Sequence, residues 1–118
     1  MAYMLLIVEP RGQRAQRTED EGRAAYDAMV RFGQGLAERG LLMGSNSLRS
    51  DAQGVRVSVR EGRRSVVDGP FSESKEMVGG YFLLDTDDRE VALAAAAECP
   101  AAQWATVEVR EVAPCYSG

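Results

Sequence analysis

Asp68 is the residue whose neighbours best equip it for chemistry. It sits in Val67-Asp68-Gly69-Pro70-Phe71, with Glu73, Lys75 and Glu76 close behind and Gly79-Gly80-Tyr81 a few positions further on. The sequence contains no histidine. That excludes Ser-His-Asp and Cys-His constellations, His-ligated metals and a histidine proton shuttle, so acid–base work falls to Asp, Glu, Lys, Tyr or Cys. Asp68 has two readings. In one it stands at the mouth of a cleft with its pKa raised by burial, acting as a general base or as the anchor for a ligand N–H or hydroxyl. In the other it accepts backbone N–H groups as a turn residue while Phe71 plugs the core. Gly69 ahead of Pro70 predicts a rigid corner under either reading.

The other candidate groups are read against the same two alternatives. Glu73, Lys75 and Glu76 either join Asp68 or form a solvated turn. Gly79-Gly80 inside an apolar run marks a bulge or a close backbone approach, which leaves room that Tyr81 would border with its hydroxyl. Trp104 shares that ambiguity. Arg56, Ser58 and Arg60 fall on one face of a strand and would either hold an anion or face solvent. Asp85-Thr86-Asp87-Asp88 lacks the glycine of a calcium loop and reads as a helix cap. Cys99 and Cys115 are too few for a disulfide framework and read as reduced thiols. Arg11, Arg14 and Arg17 are followed at once by Thr18-Glu19-Asp20-Glu21 and read as a solvated loop in preference to an anion site. The expected site is therefore Asp68 as the tentative catalytic group, with Gly69, Pro70, Phe71, Glu73, Lys75, Gly79, Gly80 and Tyr81 binding a ligand. Neither a metal nor a cofactor is expected.

The elements that must position these groups follow from periodicity. Tyr3-Met4-Leu5-Leu6-Ile7-Val8 is an apolar run of strand length, and its continuity predicts a strand buried on both faces. Thr18-Glu19-Asp20-Glu21 has the form of a capping box and opens an amphipathic helix that ends near Arg39-Gly40. Gly33 and Gly35 within it suggest packing against another backbone. Leu41-Leu42-Met43-Gly44 starts a second strand. Val55-Arg56-Val57-Ser58-Val59-Arg60 alternates strictly and turns at Glu61-Gly62-Arg63 into a hairpin partner around Ser65-Val66-Val67. Residues 77–84 form a long apolar strand, Asp87-Asp88-Arg89-Glu90 has the Asp-x-x-Glu form of a cap and opens an alanine-rich helix over residues 91–98, and residues 104–112 form a last alternating strand. This order, βαβ, hairpin, βαβ, predicts a single α+β domain over residues 1–118, with a ferredoxin-like antiparallel sheet and both helices on one face. The second face, apolar at its central strands, should be covered by a second copy, giving a homodimer through the sheet face.

Composition limits the partners. With a net charge of −4, the chain lacks the positive field that drives phosphate-backbone binding, so nucleic acid is not expected. No stretch approaches the roughly 20 apolar residues of a membrane span, and no leader-like segment precedes the first strand, so a cytoplasmic location is expected.

Val67-Asp68-Gly69-Pro70-Phe71-Ser72-Glu73-Ser74-Lys75-Glu76 with Gly79-Gly80-Tyr81-Phe82 closely resembles the signature of the YCII-related, or DGPF, family. Less strictly, the resemblance extends from Tyr3-Met4-Leu5-Leu6-Ile7 through Cys99-Pro100-Ala101-Ala102 to Val107-Glu108-Val109-Arg110. It implies a ferredoxin-like protomer that forms a dimeric α+β barrel with a small-molecule pocket beside residues 68–71. Some members resemble proteins encoded beside bacterial extracytoplasmic-function sigma factors, which implies a regulatory partner. Others are proposed to use a His-Asp pair in a cleft. Asp68 matches that aspartate, but with no histidine the dyad does not carry over. The expected function is ligand binding or sigma-factor-linked regulation. The alternative is a cofactor-free lyase, isomerase or oxygenase using Asp68.

Overall fold

Burial along the first strand sets the architecture. In a computed structural model describing residues 2–118, β1 (Tyr3–Pro10) buries Tyr3, Leu5, Ile7 and Glu9 and leaves the intervening residues more open. Met1 lies outside the described residues. The buried set packs with Leu36 of α1 (Glu19–Glu38) and with Ala92, Ala95 and Ala96 of α2 (Arg89–Glu98), so both helices cover the same face. β2 (Leu42–Ser47), β5 (Glu76–Leu84) and β6 (Thr106–Glu111) complete an antiparallel sheet in the order β2-β5-β1-β6. With β3 (Val55–Arg60) and β4 (Arg63–Asp68) set aside, this is the ferredoxin-like arrangement that the element order predicts. Those two strands form a separate ribbon.

The helix starts are fixed locally. Thr18 accepts the Glu21 backbone N–H, and the Glu21 carboxylate accepts the Thr18 N–H at 2.8 Å, the reciprocal pair of a capping box. That backbone hydrogen bond also holds the Glu21 carboxyl below its ordinary range. At α2 the cap is Asp88, one residue later than the Asp-x-x-Glu pattern suggests, and it accepts the Glu90 N–H at 2.9 Å. Asp85 to Asp88 therefore serve as a helix entry. Cys99 ends α2 inside the core, where burial pushes its thiol pKa up, while Cys115 is exposed.

Only Gly33 and Leu36 of the 20 residues of α1 are buried. The C-terminal half packs tightly: the Phe32 and Phe82 rings meet edge to face at 5.1 Å, and a Cβ on Gly33 would lie 3.3 Å from the Phe82 ring. Gly33 thus accommodates a side chain rather than a backbone, and a Cβ at Gly35 would meet nothing within 4 Å.

On the second face, strand alternation places Met4, Leu6 and Val8 beside Val78, Tyr81 and Leu83, with Thr106, Glu108 and Arg110 along one side and Asn46 on the other. An apolar centre bordered by polar residues results. No helix among the described residues is long and apolar enough to cross a membrane.

Candidate functional site

A cavity of about 790 Å³ lies between α1 and the sheet. Small residues make it. Ser45 and Ser47 on β2 and Gly22 and Ala25 on α1 line it with short side chains, and Gly79 and Gly80 on β5 border it. Ile7, Met29, Phe82 and Trp104 give it apolar walls. Its size falls within the roughly 300–1,000 Å³ range of small-molecule sites.

Gly79 and Gly80 combine both features expected of them. The β1–β5 register shifts between Ile7 and Val8, so that Ile7 faces Gly80, Val8 faces Val78, and Gly79 is the extra residue of a bulge. A Cβ on Gly79 would overlap the Glu9 carboxylate, and one on Gly80 would lie 2.8 Å from the Asn46 carbonyl. Neither position has room for a side chain.

Glu9 occupies the last inward position of β1 and is 7% exposed. Burying a carboxylate requires a partner, and Arg14 provides it through two bonds, Nε to Oε1 at 2.8 Å and Nη2 to Oε2 at 2.7 Å. Arg14 also donates to the Leu48 carbonyl at 2.8 Å and to the Gly79 carbonyl at 3.3 Å. One guanidinium thereby ties the end of β1, the exit of β2 and the β5 bulge together at the cavity wall. Arg17, the next arginine along this wall, lies with its guanidinium 5.6 Å from the Trp104 ring centre and bonds Gln13 at 3.3 Å. Among the described residues no carboxylate bonds it directly, unlike Arg14.

The segment 68–71 is built differently. Asp68 is exposed at the end of β4, opposite Val55. The Gly69 N–H donates to the Gly54 carbonyl at 2.8 Å, and a Cβ on Gly69 would overlap the Asp51 carbonyl, so the chain passes hard against the turn at Asp51–Gln53. The peptide between Gly69 and Pro70 is cis. Phe71 is buried, as the packing reading of this corner expects, and the Arg56 guanidinium sits 3.7 Å from its ring centre. Arg56 also bonds the Glu73 carboxylate at 2.9 Å. The Glu73 carboxyl is held below its usual range, first by a backbone N–H and then by Arg56. A second, open cavity of about 630 Å³ lies here, lined by Pro70, Phe71, Glu73 and hairpin residues.

The carboxylate that fastens this corner is Asp51. Arg11 pairs with it through both terminal nitrogens, Nη1 to Oδ1 at 2.8 Å, and sends Nε to the Ser74 carbonyl at 2.6 Å. The Arg11 N–H donates to the Lys75 carbonyl at 2.9 Å, while the Lys75 side chain stays exposed. Hydrogen bonding from Arg11 holds the Asp51 carboxyl low. Arg11 and Arg14 are structural clamps, which overturns their reading as a solvated loop.

The expected site residues therefore fall into three groups. Gly79, Gly80 and Tyr81 border the larger cavity; Pro70, Phe71 and Glu73 border the smaller; Asp68, Gly69 and Lys75 line neither. By alternation the Tyr81 side chain belongs to the open sheet face, and its hydroxyl accepts the Asn46 Nδ2–H at 2.9 Å. Arg14 and Arg17 were read from sequence as loop residues, and Glu9 was not singled out, although one signal for it was available: in the alternation Tyr3, Leu5, Ile7, Glu9, the fourth residue is a carboxylate at an inward position.

Fold and cavity together define a small ferredoxin-like α+β protein with a ligand-sized space between its first helix and its sheet. The chain belongs to the YCII-related domain family, whose model matches residues 1–115. No curated protein matches the sequence.

Proposed function

We propose that this protein binds a small, largely apolar molecule in the cavity beneath α1, as a homodimer joined through its open sheet faces. The observation that carries the reading is the Gly79-Gly80 bulge, where both side chains are excluded and the adjoining volume is left empty. Glu9 and Arg14 neutralise each other at the wall. Arg17 is then the group available to orient an acidic end of the ligand, and Trp104 and Met29 offer apolar contact. The dimer is supported by the apolar centre of the second sheet face.

Binding is preferred to catalysis because the buried carboxylate of the cavity, Glu9, is paired with Arg14, and because the exposure of Asp68 does not supply the desolvation that a carboxylate base needs. A binding role also fits the regulatory association that the family resemblance implies. The test is native mass spectrometry of the dimer against a metabolite panel, using wild type, Ala25→Phe and Asp68→Asn. Retention of a ligand by wild type and Asp68→Asn, its loss in Ala25→Phe, and no turnover support binding. Turnover that disappears in Asp68→Asn would establish the enzyme reading instead.

A further inference from the structure

The β3–β4 hairpin has the makings of a binding arm. Among the described residues its strands pair only with each other. Alternation places Val55, Val57 and Val59 on one face, with Val66 directly across from Val57, and all four valines are more than half exposed. An isolated two-stranded ribbon is marginal in water, and a third strand or a packed apolar face is what normally stabilises one. The radius of gyration is 16.0 Å, against about 13–14 Å for a compact chain of this length. The root of the ribbon is nevertheless fixed, by Arg56 stacked on Phe71 and paired with Glu73 and by the Gly69–Gly54 hydrogen bond.

Charge indicates what the ribbon meets. Arg56, Arg60, Arg63 and Arg64 against Glu61 and Asp68 give residues 55–68 a net charge of +2, which leaves −6 on the rest of the chain. Arg64 stands opposite Val59 on the valine face, and Arg60 and Arg63 stand directly opposite one another on the other face. A like-charge cross-strand pair destabilises an isolated hairpin and is relieved by an acidic surface. The remainder of this same chain offers an acidic body together with an open apolar sheet face.

We infer that the hairpin is an arm exchanged within a symmetric dimer, laying its valine face on a second copy of this chain and directing Arg64, at the tip end of that face, toward that copy's acidic body. The inference rests on the sheet-face dimer proposed above and adds the surface that secures it. Two-fold symmetry makes the contact twice, which adds apolar area from both arms toward the total of about 1,600 Å² that stable interfaces bury. Residues 68–71 are then the mount that aims the arm.

Hydrogen exchange on the full-length protein, run beside sedimentation across a dilution series, tests this. The expected result is a dimer in which the amides of residues 55–68 are protected at high concentration and lose protection on dilution. Val57→Asp/Val59→Asp should weaken dimerisation at least about tenfold, because it places charges in a desolvated contact, and should leave the circular dichroism spectrum unchanged. A dimer whose hairpin amides exchange freely at every concentration, or a double variant that dimerises as tightly as wild type, overturns the arm while leaving the sheet-face dimer standing. A chain that is monomeric throughout overturns both.

Discussion

The Glu9 carboxylate occupies the space that a side chain at residue 79 would need. The bulge, the buried ion pair and the cavity are therefore one construction. Gly79→Ala should force Glu9 from Arg14 and cost about 1–3 kcal/mol, the usual range for overpacking. Gly35→Ala, on the same protein, should stabilise by about 1 kcal/mol, since its Cβ meets nothing and alanine favours the helix. Opposite shifts in the urea midpoints of the two variants are the expected outcome.

Arg14→Ala strands a buried carboxylate and releases the Leu48 and Gly79 carbonyls. The expected cost is about 3 kcal/mol, the lower end for breaking a buried pair. Arg14→Lys should recover little of it, because an ammonium cannot reproduce the two-point contact with Glu9. Denaturant unfolding of both variants measures this.

Asp51 gives the corner at residues 68–71 a dependence on pH. Its carboxyl pKa is lower folded than unfolded, so its contribution is present at every pH above the unfolded value of about 3.9 and is lost as pH falls through the folded value. Asp51→Asn should be less stable than wild type at pH 7, and the gap should narrow below about pH 4. Unfolding curves at pH 7, 4 and 3 check the sign; a gap independent of pH would count against it.

Asp68→Asn should change stability by no more than about 0.5 kcal/mol, as expected for an exposed site. Thermal unfolding measures this directly.

Much of the fold was legible in the sequence because it is written locally. Thr18 and Glu21 announced the first helix, the alternation from Val55 to Arg60 assigned the hairpin faces, and Gly79-Gly80 marked the bulge. The clamps were harder to see. Arg11 finds Asp51 forty positions away, and the acidic run after Arg17 made local charge balance look sufficient. The alternation gave the Val55 face without saying that it stays open on this chain. Whether an apolar face is covered depends on tertiary placement, and for this hairpin the proposed cover is another molecule.

Trp104 is the sole tryptophan of the chain and lines the cavity, so its emission reports on occupancy directly. The decisive measurement is a titration of compounds retained in the metabolite screen, followed by Trp104 fluorescence in wild type, Ala25→Phe and Asp68→Asn. The account predicts a saturable change in wild type and Asp68→Asn that is absent from Ala25→Phe. An undiminished response in Ala25→Phe, or its loss in Asp68→Asn, would contradict it.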